Sequence, residues 1–293
     1  MKRAGISINC ERVGQKEWRF NMTRALIITA PGINCDLELA EGFALAGAEP
    51  TSIHLNELMS NPEVIEQFQL IGLPGGFSYG DSIAAGRVMA HLMRKTLYLK
   101  FVEALTRGVP MIAPCNGFQI AVQLGLLPGP VPGNNFESQS PTPTVSLAQN
   151  NSARFIDRWV QFRVPENTRC IWTKNLQTNE SGSVIPIAHG EGRFVTDTST
   201  LQSLEENGQI ACRYCPQDNP NGSLGDIMGI CDASGLVFGL MPHPERYLRW
   251  TQHPTWTRLS EKECTGDTIG LQMFKNAVKY AEQNVSSCVR GAI

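Results

Sequence analysis

The chain has 293 residues, of which 42% are hydrophobic and 18% are charged, and its formal net charge at pH 7 is −2. This composition is that of a globular protein with a sizeable core, and the near balance of charge argues against nucleic acids and membrane surfaces as partners. The sequence contains no apolar run of the roughly 20 residues that cross a membrane, and its first residues are too polar for a secretory signal.

Residues 1–22 differ from the rest of the sequence because they are polar, mixed in charge and end at a second methionine, Met22. We interpret them as an N-terminal extension that is either disordered or the product of a wrongly assigned start. A single domain is predicted over residues 23–293.

Short apolar runs alternate with helical patterns as far as residue 125. They predict strands at 25–28, 51–55, 70–73 and 109–114, a helix over 37–47 that Asp36 caps and Gly47 ends, and a long helix within 83–106. This alternation predicts an α/β fold of the flavodoxin-like kind, with a doubly wound, mostly parallel sheet and helices on both faces. Ligands bind such sheets at the carboxyl ends of the strands, where Gly75, Gly76 and Cys115 fall.

The second half is richer in alternating apolar patterns. They predict extra antiparallel strands near 154–164, 169–173, 184–188, 209–213, 227–231 and 236–241, and an amphipathic helix over 269–282 closes the domain. Two segments, 127–151 and 247–267, have the polar or proline-rich composition of loops.

The cysteines are nine in number. Because the number is odd and no export signal is expected, the sequence predicts free thiols in a reducing cytoplasm. Cys212 and Cys215 have the spacing of metal ligands, but a structural zinc site usually needs two such pairs, so no metal site is expected.

The segment 109–119 has the layout of a strand, a sharp turn and a helix, with Cys115 at the turn. The turn lifts the side chain clear of the sheet, and the N-terminus of the following helix stabilises a thiolate. His243 and Glu245 follow another apolar run and provide the base and the orienting carboxylate that a reactive thiol needs. In an extended segment with a restricting Pro244, these two side chains point the same way. A Cys–His–Glu catalytic triad is therefore predicted.

Several segments, taken in order, resemble the class I (triad) glutamine amidotransferases. They are Pro31–Asp36, Pro74–Asp81, Pro114–Gln119, Ala188–Phe194 and Met241–Arg246. The motifs Gly-Gly-Phe-Ser-Tyr-Gly-Asp, Cys-Asn-Gly-Phe-Gln and His-Gly-Glu-Gly-Arg-Phe narrow the resemblance to the glutaminase components of phosphoribosylformylglycinamidine synthases. Ala113 is a departure, because the family commonly has glycine two residues before the nucleophile.

The resemblance implies hydrolysis of L-glutamine to glutamate and ammonia through a thioester on Cys115. His243 would transfer the protons and Glu245 would hold the imidazole in one tautomer. Backbone N–H groups would form the oxyanion hole. The implied donors are those of Gly76, Phe77 and Asn116.

The glutamine pocket is expected to include Gln119, which lies one helical turn beyond Cys115 and would bind the α-amino or α-carboxylate end of the substrate. A glycine-flanked loop carries three further polar side chains that would border the pocket or bind the partner. They are His189, Glu191 and Arg193.

The ammonia would pass to a synthetase that converts formylglycinamide ribonucleotide to formylglycinamidine ribonucleotide in de novo purine biosynthesis. The chain has no P-loop motif, so ATP and Mg are expected on a separate synthetase subunit, with or without a small accessory subunit, and no cofactor on this chain. We expect the chain to be nearly silent alone. Its predicted partner contact is the loop with Trp250, Trp256 and Arg258, since interfaces favour Trp and Arg.

Two other functions stay open at this point. A thiol hydrolase or chaperone of a related flavodoxin-like family would share the fold and the cysteine, but those families lack the distant His-Pro-Glu segment. A non-catalytic regulatory or structural subunit would not need the intact set of Cys115, His243 and Glu245.

Overall fold

A nine-stranded mixed sheet organises the chain, which the computed structural model describes over residues 22–176 and 183–290. The strands are β1 (Arg24–Thr29), β2 (Glu49–His54), β3 (Leu70–Gly72), β4 (Met111–Pro114), β5 (Val145–Gln149), β6 (Ile156–Arg163), β7 (Ser183–His189), β8 (Glu191–Thr196), β9 (Ile210–Tyr214), β10 (Ile227–Cys231) and β11 (Val237–Leu240). The helices are α1 (Asp36–Leu45), α2 (Leu55–Ser60), α3 (Arg87–Thr96), α4 (Tyr98–Thr106), α5 (Asn116–Gln123), α6 (Thr198–Glu206) and α7 (Ile269–Arg290). Residues 1–21 of the predicted N-terminal extension lie outside the described residues.

The strand order is β2-β1-β3-β4-β11-β10-β9-β6-β7, and β5 pairs with β8 in a separate two-stranded sheet. The first five strands of the order pair in parallel, and the remaining ones pair antiparallel. The predicted doubly wound parallel sheet with added antiparallel strands is therefore confirmed.

The two faces of the sheet bury different helices. In β1, Leu26 and Ile28 face the core formed with α3, α4 and α5, whereas the alternate residues Ala25 and Ile27 face α1 and α7. Continuous apolar runs are typical of strands that are buried on both faces. On the second face, Phe43 of α1 meets Phe274 of α7 edge to face, with ring centroids 5.2 Å apart.

Several local predictions were wrong. The helical pattern of 83–106 divides into α3 and α4 at Leu97. Asp36 is the first residue of α1, and the capping position belongs to Cys35. The predicted strand at 169–173 does not form: Trp172 lies in a turn, where its indole N–H donates to the carbonyl of Leu236 at 2.9 Å, and this burial produced the apolar pattern.

Further elements lie where loops were predicted or extend beyond their predicted bounds. The segment 127–151 contains β5, and α7 continues eight residues past its predicted end. Helix α6 was missed, although Asp197 caps it by accepting from the N–H of Thr200. Among the described residues, no helix combines the length and apolar composition that a membrane span requires.

Candidate active site

Cys115 lies at the junction of β4 and α5, in a strained turn. Its φ of 52° and ψ of −110° place a non-glycine residue in a sparsely populated region, as expected for a nucleophile held on a sharp strand-to-helix turn. The Cys115 N–H donates to the carbonyl of Leu240 on β11 at 2.7 Å, which ties the turn to the neighbouring strand. Gly117 is required because a Cβ there would overlap the carbonyl oxygen of Leu73.

His243 and Glu245 form a buried pair just beyond the end of β11. His243 Nδ1 and Glu245 Oε1 are 2.7 Å apart, and the two side chains are 2% and 0% exposed. The backbone N–H of His243 donates to the carbonyl of Pro186 at 2.9 Å, which holds the backbone of this segment in place. The segment is not extended as predicted, because Pro244–Arg246 forms a 3₁₀ turn, so the pair meets across a turn rather than along a strand.

Gly75 lies against both Cys115 and His243. A Cβ on this residue would lie 2.8 Å from His243 Cε1 and 3.4 Å from Cys115 Cβ, so glycine leaves the space in which thiol and imidazole meet. Cys115 Sγ faces the carbonyl of Ala188 at 3.6 Å, while His243 Nε2 has no hydrogen-bond partner among the described residues. Cys115 is nonetheless close enough to His243 to affect the pKa of the imidazole.

The charge of His243 is controlled by its neighbours. Burial opposes protonation, but the carboxylate of Glu245 and the thiol groups of Cys115 and Cys35 outweigh it and raise the pKa of His243 well above its usual value. The site therefore favours the imidazolium form of His243.

The glycine loop after β3 approaches the same site. Gly76 has a φ of 142°, and its backbone forms an isolated antiparallel bridge with Ile33. The N–H of Phe77 donates to the carbonyl of Gly32 at 2.8 Å, so this predicted oxyanion donor is already engaged. Asn116 is the first residue of α5, where a helix leaves its backbone N–H without an intrahelical acceptor. Of the three predicted oxyanion donors, the N–H groups of Gly76 and Asn116 therefore remain as candidates.

A buried amide network connects these parts. Asn116 Oδ1 accepts from the N–H of Ser78 at 3.1 Å, and Asn116 Nδ2 donates to Gln119 Oε1 at 2.9 Å. Gln119 in turn donates to the carbonyl of Glu191. Gln119 thus joins α5 to β8, in addition to the substrate contact predicted for it.

The predicted loop with His189, Glu191 and Arg193 is a tight connection between two strands, because His189 ends β7 and Glu191 begins β8. Glu191 accepts from the N–H of Ala85 at 3.3 Å. Arg193 donates to the carbonyl of Gln149 on β5 at 3.0 Å, so a contact within the small sheet holds it.

His189 is buried close to the imidazole of His243. Its Nδ1 lies 3.1 Å from Asn150 Oδ1, and Nε2 has no hydrogen-bond partner among the described residues. Burial and the positive charge of His243 lower the pKa of His189 to about 4. His189 is therefore neutral at pH 7.

This pKa shift predicts a loss of stability in acid. Between pH 6.5, near the ordinary histidine pKa, and pH 4, His189 is protonated in the unfolded chain but stays neutral in the folded one. This difference lowers the free energy of unfolding by about 3 kcal/mol over the whole window. His243, with its raised pKa, is protonated in both the folded and the unfolded chain below pH 6.5, so its contribution to the free energy of unfolding does not change there. Urea unfolding at pH 7 and pH 4.5 should show a smaller acid loss for His189→Gln than for the wild type. Equal losses would contradict the shift.

Sequence reasoning missed Cys35 and Arg246 as members of this site. Arg246 Nη2 donates to Cys35 Sγ at 3.0 Å, and Cys35 lies close enough to His243 to affect its charge. Both residues fall inside motifs on which the family resemblance is based, and this position in the motifs is the signal that could have identified them.

Residues 22–281 match the CobB/CobQ-like glutamine amidotransferase domain, and the chain belongs to this class of protein. Within the class it belongs to the family of PurQ subunits of phosphoribosylformylglycinamidine synthase. The chain is 39% identical to the subunit from Dehalococcoides mccartyi over 89% of this chain and 98% of the relative, and 36% identical to that from Methanococcus maripaludis over 88% and 97%.

The solved structure of PurLQS from Thermotoga maritima contains a chain with the same fold. It is similar with a TM-score of 0.65 and 32% identity, over 88% of this chain and 99% of that one. The fold and the family agree with the resemblance drawn from the motifs.

Proposed function

We propose that the chain is the glutaminase subunit of a phosphoribosylformylglycinamidine synthase, and that it releases ammonia from L-glutamine at Cys115 for purine biosynthesis. The observation that carries this is the buried His243–Glu245 pair, which lies beside the strained Cys115 turn. Near full-length similarity to PurQ subunits supports the choice of synthase.

The proposed reaction begins with attack of the Cys115 thiolate on the side-chain amide carbon of glutamine. The carbonyl oxygen gains the negative charge and accepts from the N–H groups of Gly76 and Asn116, each worth about 3–4 kcal/mol in comparable sites. The amide C–N bond then breaks as His243 gives its proton to the departing nitrogen, which leaves as ammonia. A glutamyl thioester remains on Cys115.

Water completes the cycle. His243, now neutral, takes a proton from the attacking water, and the thioester carbon–sulfur bond breaks to release glutamate and restore the thiolate–imidazolium pair. Glu245 stays ionised throughout, because its role is to hold Nδ1–H and to stabilise the imidazolium.

The ammonia acceptor belongs to the proposed partner. A synthetase subunit, with or without a small accessory subunit, would bind ATP, Mg and formylglycinamide ribonucleotide. Similarity to a chain of the Thermotoga maritima PurLQS structure supports such an assembly. The cytoplasmic location remains a prediction, which the free buried thiols of the described residues support.

Two exposed aromatic side chains offer a contact for that partner. Phe77 and Phe155 are 46% and 53% exposed, with ring centroids 6.2 Å apart, and Phe77 directly follows the oxyanion glycine Gly76. In the loop predicted from sequence, Trp250 instead packs against Tyr247 and covers the chain's own core, whereas Trp256 is exposed. Because ammonia must leave near Cys115, we place the synthetase over the Phe77–Phe155 pair.

Phe155→Asp is expected to weaken binding of the synthetase by at least about 30-fold, the loss of about 2 kcal/mol that defines an aromatic hot spot. Leu99→Asp is the matched control, because Leu99 is an exposed apolar residue of α4. Titration of the synthetase with each labelled variant measures the affinity. Normal binding by Phe155→Asp together with lost binding by Trp256→Asp would move the contact to the 247–267 loop.

The synthase assignment is tested by reconstitution. The synthetase alone should make formylglycinamidine ribonucleotide only from added ammonia, and adding this chain should make glutamine a nitrogen source. The isolated chain should hydrolyse glutamine far more slowly than the complex. Equal rates would reject activation by docking, and no glutamine-dependent product would reject the proposed function.

A further inference from the structure

A second buried thiol lies beside the catalytic imidazole and has no part in the proposed reaction. Cys35 follows the loop after β1 and is 1% exposed. Its backbone N–H donates to the carbonyl of Gly75 at 3.3 Å, which anchors it to the glycine loop. Arg246 donates to its sulfur at 3.0 Å, which holds the side chain in place.

Cys35, His243 and Glu245 form a cluster of potential metal ligands. One ligand atom from each residue lies within 4.8 Å of the other two, and all three side chains are buried. His243 Nε2 and Glu245 Oε2 have no hydrogen-bond partner among the described residues, which is costly for buried polar atoms. These orphaned atoms are a second observation that points to a ligand.

The donor set fits a borderline-soft divalent cation. Zinc binds thiolate, imidazole and carboxylate, and sites with three protein ligands keep an open fourth position. Bonds of about 2.0–2.3 Å place tetrahedral ligand atoms about 3.5 Å apart, so ligand atoms that lie up to 4.8 Å apart need to close by at most about 1 Å. Gly75 keeps a further side chain out of this cluster, because a Cβ there would lie 3.3 Å from Cys35 Sγ and 2.8 Å from His243 Cε1.

We propose that Cys35, His243 and Glu245 form an inhibitory binding site for Zn²⁺. The ion takes an imidazole nitrogen, so His243 can no longer exchange protons with Cys115. Arg246 keeps its hydrogen bond to the Cys35 sulfur and acts as an outer partner of the ligand. Inhibition by Zn²⁺ rests on the proposed glutaminase function, whereas binding of Zn²⁺ to the three side chains does not.

Cobalt, which gives a thiolate-to-metal charge-transfer absorption, is the first probe. Titration of the full chain with Co²⁺ should produce this band in the wild type, in Cys115→Ser and in the control Cys264→Ser, which changes a partly exposed cysteine elsewhere. In Cys35→Ser the band should disappear and the affinity should fall at least about 10- to 100-fold, the effect of disturbing even an outer partner. A band that survives in Cys35→Ser but is lost in Cys115→Ser would overturn the proposal.

Zinc X-ray absorption of zinc-loaded Cys115→Ser gives a second readout that does not require a Cys35 variant to fold. One sulfur with nitrogen and oxygen neighbours is expected, and a spectrum without sulfur would overturn the site. In the reconstituted complex, Zn²⁺ should inhibit glutamine-dependent synthesis reversibly by a chelator, while ammonia-dependent synthesis continues. Because the spectra do not depend on turnover, failure of the zinc site and failure of the glutaminase assignment are distinguishable.

Discussion

Cys115→Ala is expected to abolish glutamine-dependent synthesis by the reconstituted complex and to leave ammonia-dependent synthesis at the wild-type rate. Without the sulfur there is no thioester, and water does not replace a thiolate on an unactivated amide. Removing the nucleophile of a comparable triad costs about 10⁶-fold in kcat. Glutamine-dependent and ammonia-dependent product formation, measured on the same preparation, separate loss of chemistry from loss of assembly.

Cys264→Ala is the matched control for Cys115→Ala, because it removes a thiol that lies in the 247–267 loop rather than in the site. It should keep both activities. Glutamine-dependent synthesis by Cys115→Ala within tenfold of the wild type would mean that another group, such as the Cys35 thiol, is the nucleophile.

Glu245→Gln is expected to lower the glutaminase kcat by about 10⁴-fold, the loss measured when the carboxylate of a serine-protease triad becomes an amide. The amide keeps the size of the side chain but no longer stabilises Nδ1–H and the imidazolium. Since Glu245 raises the pKa of His243, its loss lowers that pKa and moves the alkaline limb of the pH–kcat profile to lower pH.

The conservative variant and a surface carboxylate provide the controls for Glu245→Gln. Glu245→Asp keeps the charge on a shorter side chain and should recover part of the rate. Glu205→Gln changes an exposed carboxylate of α6 that pairs with Arg213 and should cost much less. Equal losses for Glu245→Gln and Glu205→Gln, with unchanged pH profiles, would contradict an orienting role.

The sheet and the Cys115 turn could be predicted because their signals are local. Buried parallel strands appear as continuous apolar runs, and a cysteine between such a run and a helical pattern defines the turn without any distant contact. Gly117, two residues after Cys115, belongs to the same local pattern, and the structure supplies the reason for it, because a Cβ there would overlap the carbonyl oxygen of Leu73.

Features that depend on distant contacts could not be predicted. The Phe77 N–H is engaged by Gly32, a residue of another loop, and nothing in the local sequence indicates that bond. Cys35 meets Arg246 across 211 positions of the chain. Trp172 gave a false strand because its burial comes from tertiary packing rather than from a pleated pattern.

The pairing of His243 with Glu245 was predicted for an incorrect backbone reason. Spacing by two in an extended segment would place the side chains on one face, but the contact forms across a 3₁₀ turn. The predicted pair is correct, but the predicted backbone geometry is wrong. The prediction therefore depended on the residue types and on their closeness in sequence.

Labelling with a glutamine-mimicking electrophile addresses the nucleophile itself. Intact-mass and peptide analysis of the complex should find one label per chain, on Cys115, with a rate that glutamine slows and that falls in His243 and Glu245 variants. Turnover that survives full labelling, or a label that maps to another residue while Cys115 stays free, would contradict a triad built on that sulfur.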